Sequence, residues 1–146
     1  MIAAVFDTNV LASGFIRNSS PPGQLLAAWS TGAFELVVSE PILTELAHTF
    51  EDPYFLQRRT AEQMAADIAL LSQQATITSI TVEVHGVATH PEDDLILATA
   101  VSFHADYLVT GDSQLQKLGA YQGVTILSPR AFLDLILAND TKGEET

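Results

Sequence analysis

With 146 residues the chain has room for one domain and a sizeable core, and a hydrophobic content of 47% excludes disorder as the state of its bulk. It carries 18 acidic against 6 basic residues, a formal net charge of −12, which is the opposite sign to the one that phosphate binding normally draws on. Cysteine is absent, so disulfides and thiolate metal sites are excluded and any metal must take oxygen or histidine ligands.

The first predicted element is the apolar run at residues 2–6, Ile-Ala-Ala-Val-Phe, followed at once by Asp7-Thr8-Asn9. An unbroken run of this kind reads as a strand buried on both faces, and in open parallel sheets chemistry collects beyond the carboxyl ends of such strands. A short helical turn over residues 11–16 leads to a loop by composition at residues 17–23, Arg-Asn-Ser-Ser-Pro-Pro-Gly. Residues 24–31 read as a helix closed by Gly32, and residues 34–38 as a second apolar strand. Ser39 is a suitable N-cap for a helix with Pro41 in its first turn and Ile42, Leu43, Leu46 and Phe50 as its apolar stripe. Glu45 stands at the edge of that stripe.

Asp52-Pro53 breaks this helix, and residues 54–74 read as one longer helical region with Arg58 and Arg59 on its polar side. Residues 76–84 alternate and are rich in β-branched side chains, which predicts a strand. His90-Pro91-Glu92-Asp93-Asp94 is a turn into a helix over residues 95–103. A strand at residues 107–110 ends in Gly111-Asp112, a short helix covers residues 113–118, and the last strand spans residues 124–127. Pro129 opens a final helix to about Ala138, and residues 140–146 form a polar tail prone to fraying. Strands alternate with helices nearly throughout, which predicts a three-layer α/β/α sandwich with a mainly parallel central sheet, in one domain over residues 1–139. No run reaches membrane-span length and no signal-peptide pattern precedes the first strand, so the expected location is the cytoplasm.

Asp7, Glu45, the Asp93/Asp94 pair and Asp112 all fall at element ends or edges on the expected carboxyl side of the sheet. Carboxylate oxygens suit hard divalent cations such as Mg²⁺ and Mn²⁺, which polarise a phosphodiester and lower the pKa of a water. Each residue also has an ordinary explanation. Glu45 fits the boundary of an amphipathic helix, Asp93 and Asp94 fit a helix start, and Asp112 beside Gly111 fits a turn or N-cap. The net acidity reads in three ways: as cation-binding carboxylates, as a face for a basic partner, or as solubility alone. The four histidines, His48, His85, His90 and His104, lack helix-face ligand spacing, which argues against zinc. The lack of a glycine-rich phosphate loop argues against a nucleotide triphosphatase, and Asp7-Thr8-Asn9 lacks the second aspartate of a haloacid-dehalogenase-type phosphatase.

Taken in order, Phe6-Asp7-Thr8-Asn9-Val10-Leu11, the Ser39 segment ending Thr44-Glu45-Leu46, Glu92-Asp93-Asp94 and Ala105-Asp106-Tyr107-Leu108-Val109-Thr110-Gly111-Asp112 resemble the PIN-domain family. The closer likeness is to the toxin components of bacterial toxin–antitoxin pairs. The resemblance spans nearly the whole chain and rests on the ordered set, no one motif being decisive. It implies a Mg²⁺- or Mn²⁺-dependent endoribonuclease in which Asp7, Glu45, Asp93 and Asp112 hold one or two ions and a metal-activated water attacks RNA. Counting back from Ile96-Leu97-Ala98 favours Asp93, while counting back from Thr110-Gly111-Asp112 allows Asp94; Asp93 is preferred. Thr8, Asn9, Thr110 and Ser113 are the matching supporting polar residues, and Arg17, Arg58 and Arg59 are candidates for RNA phosphates. An antitoxin protein covering the acidic cleft is the implied partner. The resemblance also allows a homodimer, for which Trp29, Phe34 and the final helix are candidate contributors that core packing explains equally well. The rival readings are a PIN-like module that binds protein or RNA without cutting it, and a small-molecule phosphohydrolase.

Overall fold

The computed structural model describes residues 1–88 and 90–145, with the side chains of residues 140–145 outside the description. Fourteen elements follow in order: β1 (Ala3–Phe6), α1 (Thr8–Ile16), α2 (Pro21–Ser30), β2 (Glu35–Val38), α3 (Glu40–Thr49), α4 (Pro53–Leu56), α5 (Ala61–Gln74), β3 (Thr76–Ile77), α6 (Pro91–Phe103), β4 (Tyr107–Val109), α7 (Ser113–Leu118), β5 (Ala120–Tyr121), β6 (Val124–Leu127) and α8 (Pro129–Glu145). The sheet order is β3-β2-β1-β4-β6-β5, and every pairing is parallel except the β5–β6 hairpin. This is the mainly parallel α/β architecture that the alternation of elements predicts.

Strand β1 is central and sealed on both faces, which is why it contains only apolar residues. Phe6 meets the Phe34 ring at a tilt and Phe132 edge-on, at centroid separations of 5.6 and 6.0 Å, and Phe34 meets Phe132 edge-on at 5.1 Å. Phe34 is therefore core, not a surface contact for a second copy. From β1 the chain moves outward to β2 and β3, whereas from β4 it moves the other way to β6. With right-handed crossovers the helices after β1 and β2 lie on one face and α6 on the other. Helix α6 packs on β1, β2 and β4 and touches α3, while α8 packs on α2 and β6. The direction of winding reverses between β1 and β4, and in open parallel sheets the crevice for ligands opens at that reversal.

Several boundaries differ from the sequence-based expectation, each for a local reason. Helix α1 starts at Thr8 instead of residue 11 because the Asp7 carboxylate caps it, accepting from the Val10 amide at 2.8 Å. Helix α2 starts at Pro21, since prolines lose nothing where amides have no helical partner, and Ser20 accepts from the Gly23 amide at 3.2 Å. Residues 54–74 are two helices: Asp52 caps α4, and a reciprocal Thr60–Gln63 capping box restarts the chain as α5. Ser39 precedes α3 but makes no side-chain cap; its hydroxyl meets that of Thr99 on α6 at 2.9 Å instead. Only Thr76–Ile77 of the predicted third strand pairs, at the sheet edge. Helix α8 continues to Glu145, beyond the predicted end near Ala138, and residue 146 of the predicted tail lies outside the described residues. No helix among the described residues is long and apolar enough to cross a membrane.

Candidate active site

Register places the first two acidic residues. Phe6 on β1 is level with Val109 on β4, and the Asp7 amide donates to the Val109 carbonyl at 3.0 Å. Asp7 and Thr110 therefore leave adjacent parallel strands side by side, and the Thr110 hydroxyl donates to Asp7 Oδ2. With Oδ1 held by the Val10 amide, the buried Asp7 carboxylate is fixed in orientation by its own strand end and helix start. Burial raises its pKa, and the bonds from Thr110 and neighbouring amides offset part of that rise.

Two residues after Thr110, in the turn between β4 and α7, the Asp112 amide donates to Thr110 Oγ1 at 3.0 Å, while Asp112 Oδ1 caps α7 by accepting from Gln114 at 2.7 Å and Leu115 at 3.3 Å. Asp112 is thus both an N-cap and a wall of the site. Gln116 donates to the Thr110 carbonyl at 2.7 Å and locks the turn.

Asp7, Glu45, Asp93 and Asp112 line one cavity of about 630 Å³ at the winding reversal, together with Asn9, Val10, Ser13, Pro22, His90, Glu92, Gly111 and Pro129. Burial raises the pKa of Glu45, with Glu92 and Asp7 adding repulsion. Asp93 is pushed up to about 6, first by burial and then by the charges of Asp7 and Asp112, with His90 opposing the rise and Glu45 adding least to it. These residues come from α3, α6, the end of β1 and the turn after β4, and among them Asp93 meets the charges of Asp7, Asp112 and Glu45, while Glu45 meets that of Asp7.

The neighbouring aspartates of α6 part company here. Asp94 is buried, and its carboxylate accepts from the Gly86 amide at 3.0 Å and the Ala88 amide at 2.8 Å, tying the preceding loop to the helix start. Asp93 alone of the pair lines the cavity.

Among the supporting polar residues, Thr110 bonds Asp7 and Asn9 lines the cavity, while Thr8 is buried beneath Glu45. The Thr8 hydroxyl has no partner at full hydrogen-bond geometry, and the Glu45 carboxylate is the group it faces. Ser113 is exposed and does not line the cavity. Arg59 is held by both oxygens of Asp67, and Arg58 lies over the Tyr54 ring at 3.7 Å, so neither guanidinium reaches the carboxylates. Arg17 is exposed on the cavity's flank.

Sequence reasoning passed over His90, Ser13 and Glu92 as cavity residues. Two of them carried a spacing signal: Ser13 stands four residues after Asn9 on one helix, and His90 three before Asp93 across a helix start, separations that share a face.

The donor set fits a hard divalent cation. The charges of Asp7, Asp112 and Glu45 raise the pKa of Asp93, and those of Glu92 and Asp7 raise that of Glu45, a repulsion that a cation relieves. Among the described residues no three His, Asp or Glu side chains already close into a cage.

A family model described as PIN domain matches residues 3–114. No curated protein matches the chain in sequence. Among solved structures, VapBC2 from Rickettsia felis, bound to a DNA fragment from its promoter, is 14% identical with a TM-score of 0.62, covering 87% of this chain and 98% of its own. VapC20 of Mycobacterium tuberculosis, a Sarcin-Ricin loop cleaving toxin, is 14% identical with a TM-score of 0.58, covering 82% and 97%. The PIN domain of Trypanosoma brucei RRP44 is 14% identical with a TM-score of 0.53, covering 99% and 86%. At these identities the structural likeness is one of fold.

Proposed function

The chain belongs to the PIN-domain family, and from that premise we propose that it is a divalent-metal-dependent ribonuclease, the toxin half of a toxin–antitoxin pair acting in the cytoplasm. The observation that carries this reading is the convergence of Asp7, Glu45, Asp93 and Asp112, from four separate segments, on one cavity at the winding reversal of the sheet. An ordinary N-cap or helix boundary explains any one of them and does not explain the convergence.

Asp7, Asp93 and Asp112, with Glu45, would hold one or two Mg²⁺ or Mn²⁺ ions. When bound, the ion stabilises charge on the phosphate and makes a water nucleophilic near neutral pH. The chain's own share is positioning. Thr110 and the Val10 amide keep Asp7 in one rotamer, the amides of α7 do the same for Asp112, and the Asp94 anchor sets the helix start that presents Asp93. Asn9, Ser13 and His90 line the cavity and supply polar groups for the phosphodiester or its leaving oxygen. Preorganised groups of this kind lower the barrier because they need no reorientation as charge develops.

Two neighbours in fold support the toxin reading: one structure is of VapBC2, and the other protein is a Sarcin-Ricin loop cleaving toxin. An antitoxin presenting a basic side chain to this acidic cavity is the partner the reading assigns, and a homodimer remains part of it.

The test is cleavage of single-stranded RNA by purified protein with Mg²⁺ or Mn²⁺, beside Asp7→Asn and a chelator control. Cleavage abolished by both supports a carboxylate-bound metal nuclease, with Asp7→Asn reducing the rate by roughly a hundredfold or more. Equal cleavage by the variant, or none by the wild type on any RNA, overturns it.

A further inference from the structure

A substrate phosphate approaching this cavity meets carboxylates on a chain of net charge −12. Unscreened repulsion reaches about 8 Å at physiological salt, so a strand has to be held from the cavity's edge. The cavities adjoining it on the α3 side are themselves acidic: one is lined by Glu45, Glu51 and Asp52, another by Glu40, Glu45 and Glu92. On the α1–α2 side the surroundings change. A cavity of about 240 Å³ shares Ser13 and Pro22 with the carboxylate cavity and is otherwise lined by Ile16, Arg17, Ser20 and Tyr54, with no carboxylate.

This flank also carries a stacking surface. Tyr54 is 44% exposed, although a tyrosine side chain on a four-residue helix would ordinarily gain by burying itself. The Arg58 guanidinium lies over its ring at 3.7 Å and donates to the Tyr54 carbonyl at 2.7 Å, and Phe55 braces the ring edge-on at 5.1 Å. The ring and the guanidinium together form a flat cationic platform, the kind of surface on which unpaired bases stack. Arg17 makes no ion pair among the described residues. Its loop is firmly built: the Arg17 carbonyl accepts from Ser20 N and Oγ at 3.2 and 2.7 Å, and a Cβ at Gly23 would come within 2.0 Å of it. The other described cations are placed differently, since Arg59 is taken by Asp67, Arg130 pairs with Asp134 one helical turn on at 4.0 Å, and Lys117 lines a cavity that shares no residue with the carboxylate one.

We propose that Tyr54, Arg58 and Arg17 form a nucleotide subsite flanking the carboxylate cavity, in which one unpaired base of single-stranded RNA stacks on the Tyr54–Arg58 platform while Arg17 takes its phosphate. The subsite rests on the ribonuclease reading and deepens it, because it makes the substrate an unpaired strand entering past Ser13 and Pro22. A duplex end offers no free base to the platform.

The experiment measures anisotropy of a fluorescein-labelled, mixed-sequence 2′-O-methyl oligonucleotide in Ca²⁺, with its integrity checked on a gel, alongside the cleavage assay above. Tyr54→Ala should weaken single-strand binding roughly tenfold or more, Tyr54→Phe should restore it, and a blunt duplex should be insensitive to both. Arg17→Ala should flatten the slope of log affinity against log salt by about 0.7. Wild-type affinity in Tyr54→Ala, with cleavage still abolished by Asp7→Asn, overturns the subsite alone and leaves this face to a protein partner. Tyr54-dependent binding without any cleavage supports the subsite and removes the nuclease reading. Neither binding nor cleavage by the wild type overturns both.

Discussion

Burial and the carboxylates facing it hold Asp93 near pH 6, against an ordinary value of 3.8. A carboxyl group whose pKa is raised by folding binds its proton more tightly in the folded state. Its contribution to stability is complete below about pH 4 and is lost as pH rises through about 6. The metal-free protein should therefore lose stability across that window, with Asp93 contributing to the loss. Asp93→Asn removes the charge while keeping the shape. In chelator, thermal melts of this variant should lie above wild type at pH 7 and fall less steeply between pH 4 and 6, the remaining slope coming from Asp7, Glu45 and Asp67, whose pKa values burial also raises, while RNA cleavage disappears. A variant that melts like wild type would mean the repulsion is relieved in some other way. Asp94 shows the contrast one residue on: its carboxylate is consumed by the Gly86 and Ala88 amides, so a neighbouring charge in sequence is a structural anchor in space.

Helix starts recur as the organising device at the level of elements. Asp7, Ser20, Asp52, Thr60 and Asp112 each cap a helix with a side-chain oxygen, and two of them, Asp7 and Asp112, are also walls of the carboxylate cavity. Such residues are legible from sequence, because a cap needs only the few residues after it. What helix α2 does is less legible: it presses its first turn so close to the Arg17 carbonyl that position 23 has no space for a side chain. Gly23→Ala should destabilise the fold by about 1–3 kcal/mol, measured by urea unfolding. It should also loosen the Arg17 loop, seen as faster hydrogen exchange of the Ser20 amide. The split of residues 54–74 is a readable feature that periodicity obscured. Apolar spacing continues across the break, yet Asp52-Pro53 and Thr60-x-x-Gln63 are start signals in their own right.

Across the molecule, the strand order brings distant acidic residues together and the chain tolerates their repulsion. A cation bound to the folded state and not to the unfolded one stabilises in proportion to the logarithm of its concentration over its dissociation constant. Mn²⁺ should thus raise the melting temperature more at pH 7 than at pH 5, since Asp93 is ionised only at the higher value. Asp7→Asn should shrink that gain. Equal gains at both pH values would place the ion elsewhere. The acidic surface has a further consequence: it confines attraction for RNA to the few free cations, so overall charge alone is a poor guide to what this fold binds.

The sequence by itself determined the parallel α/β class, the central position of residues 3–6, and the emergence of Asp7 and Asp112 at strand ends. These depend on local quantities: apolar run length, capping chemistry and the alternation of elements. Only the tertiary structure decided that Asp93 and not Asp94 faces the cavity, that Ser39 bonds Thr99 instead of capping its helix, that Arg59 serves Asp67, and that residues 79–84 do not extend the edge strand. In each case the outcome turns on which remote segment arrives beside the side chain. Adjacent residues on a helix point about 100° apart, and nothing in their immediate neighbours says which direction holds the amides of residues 86 and 88 and which the carboxylates of three other elements.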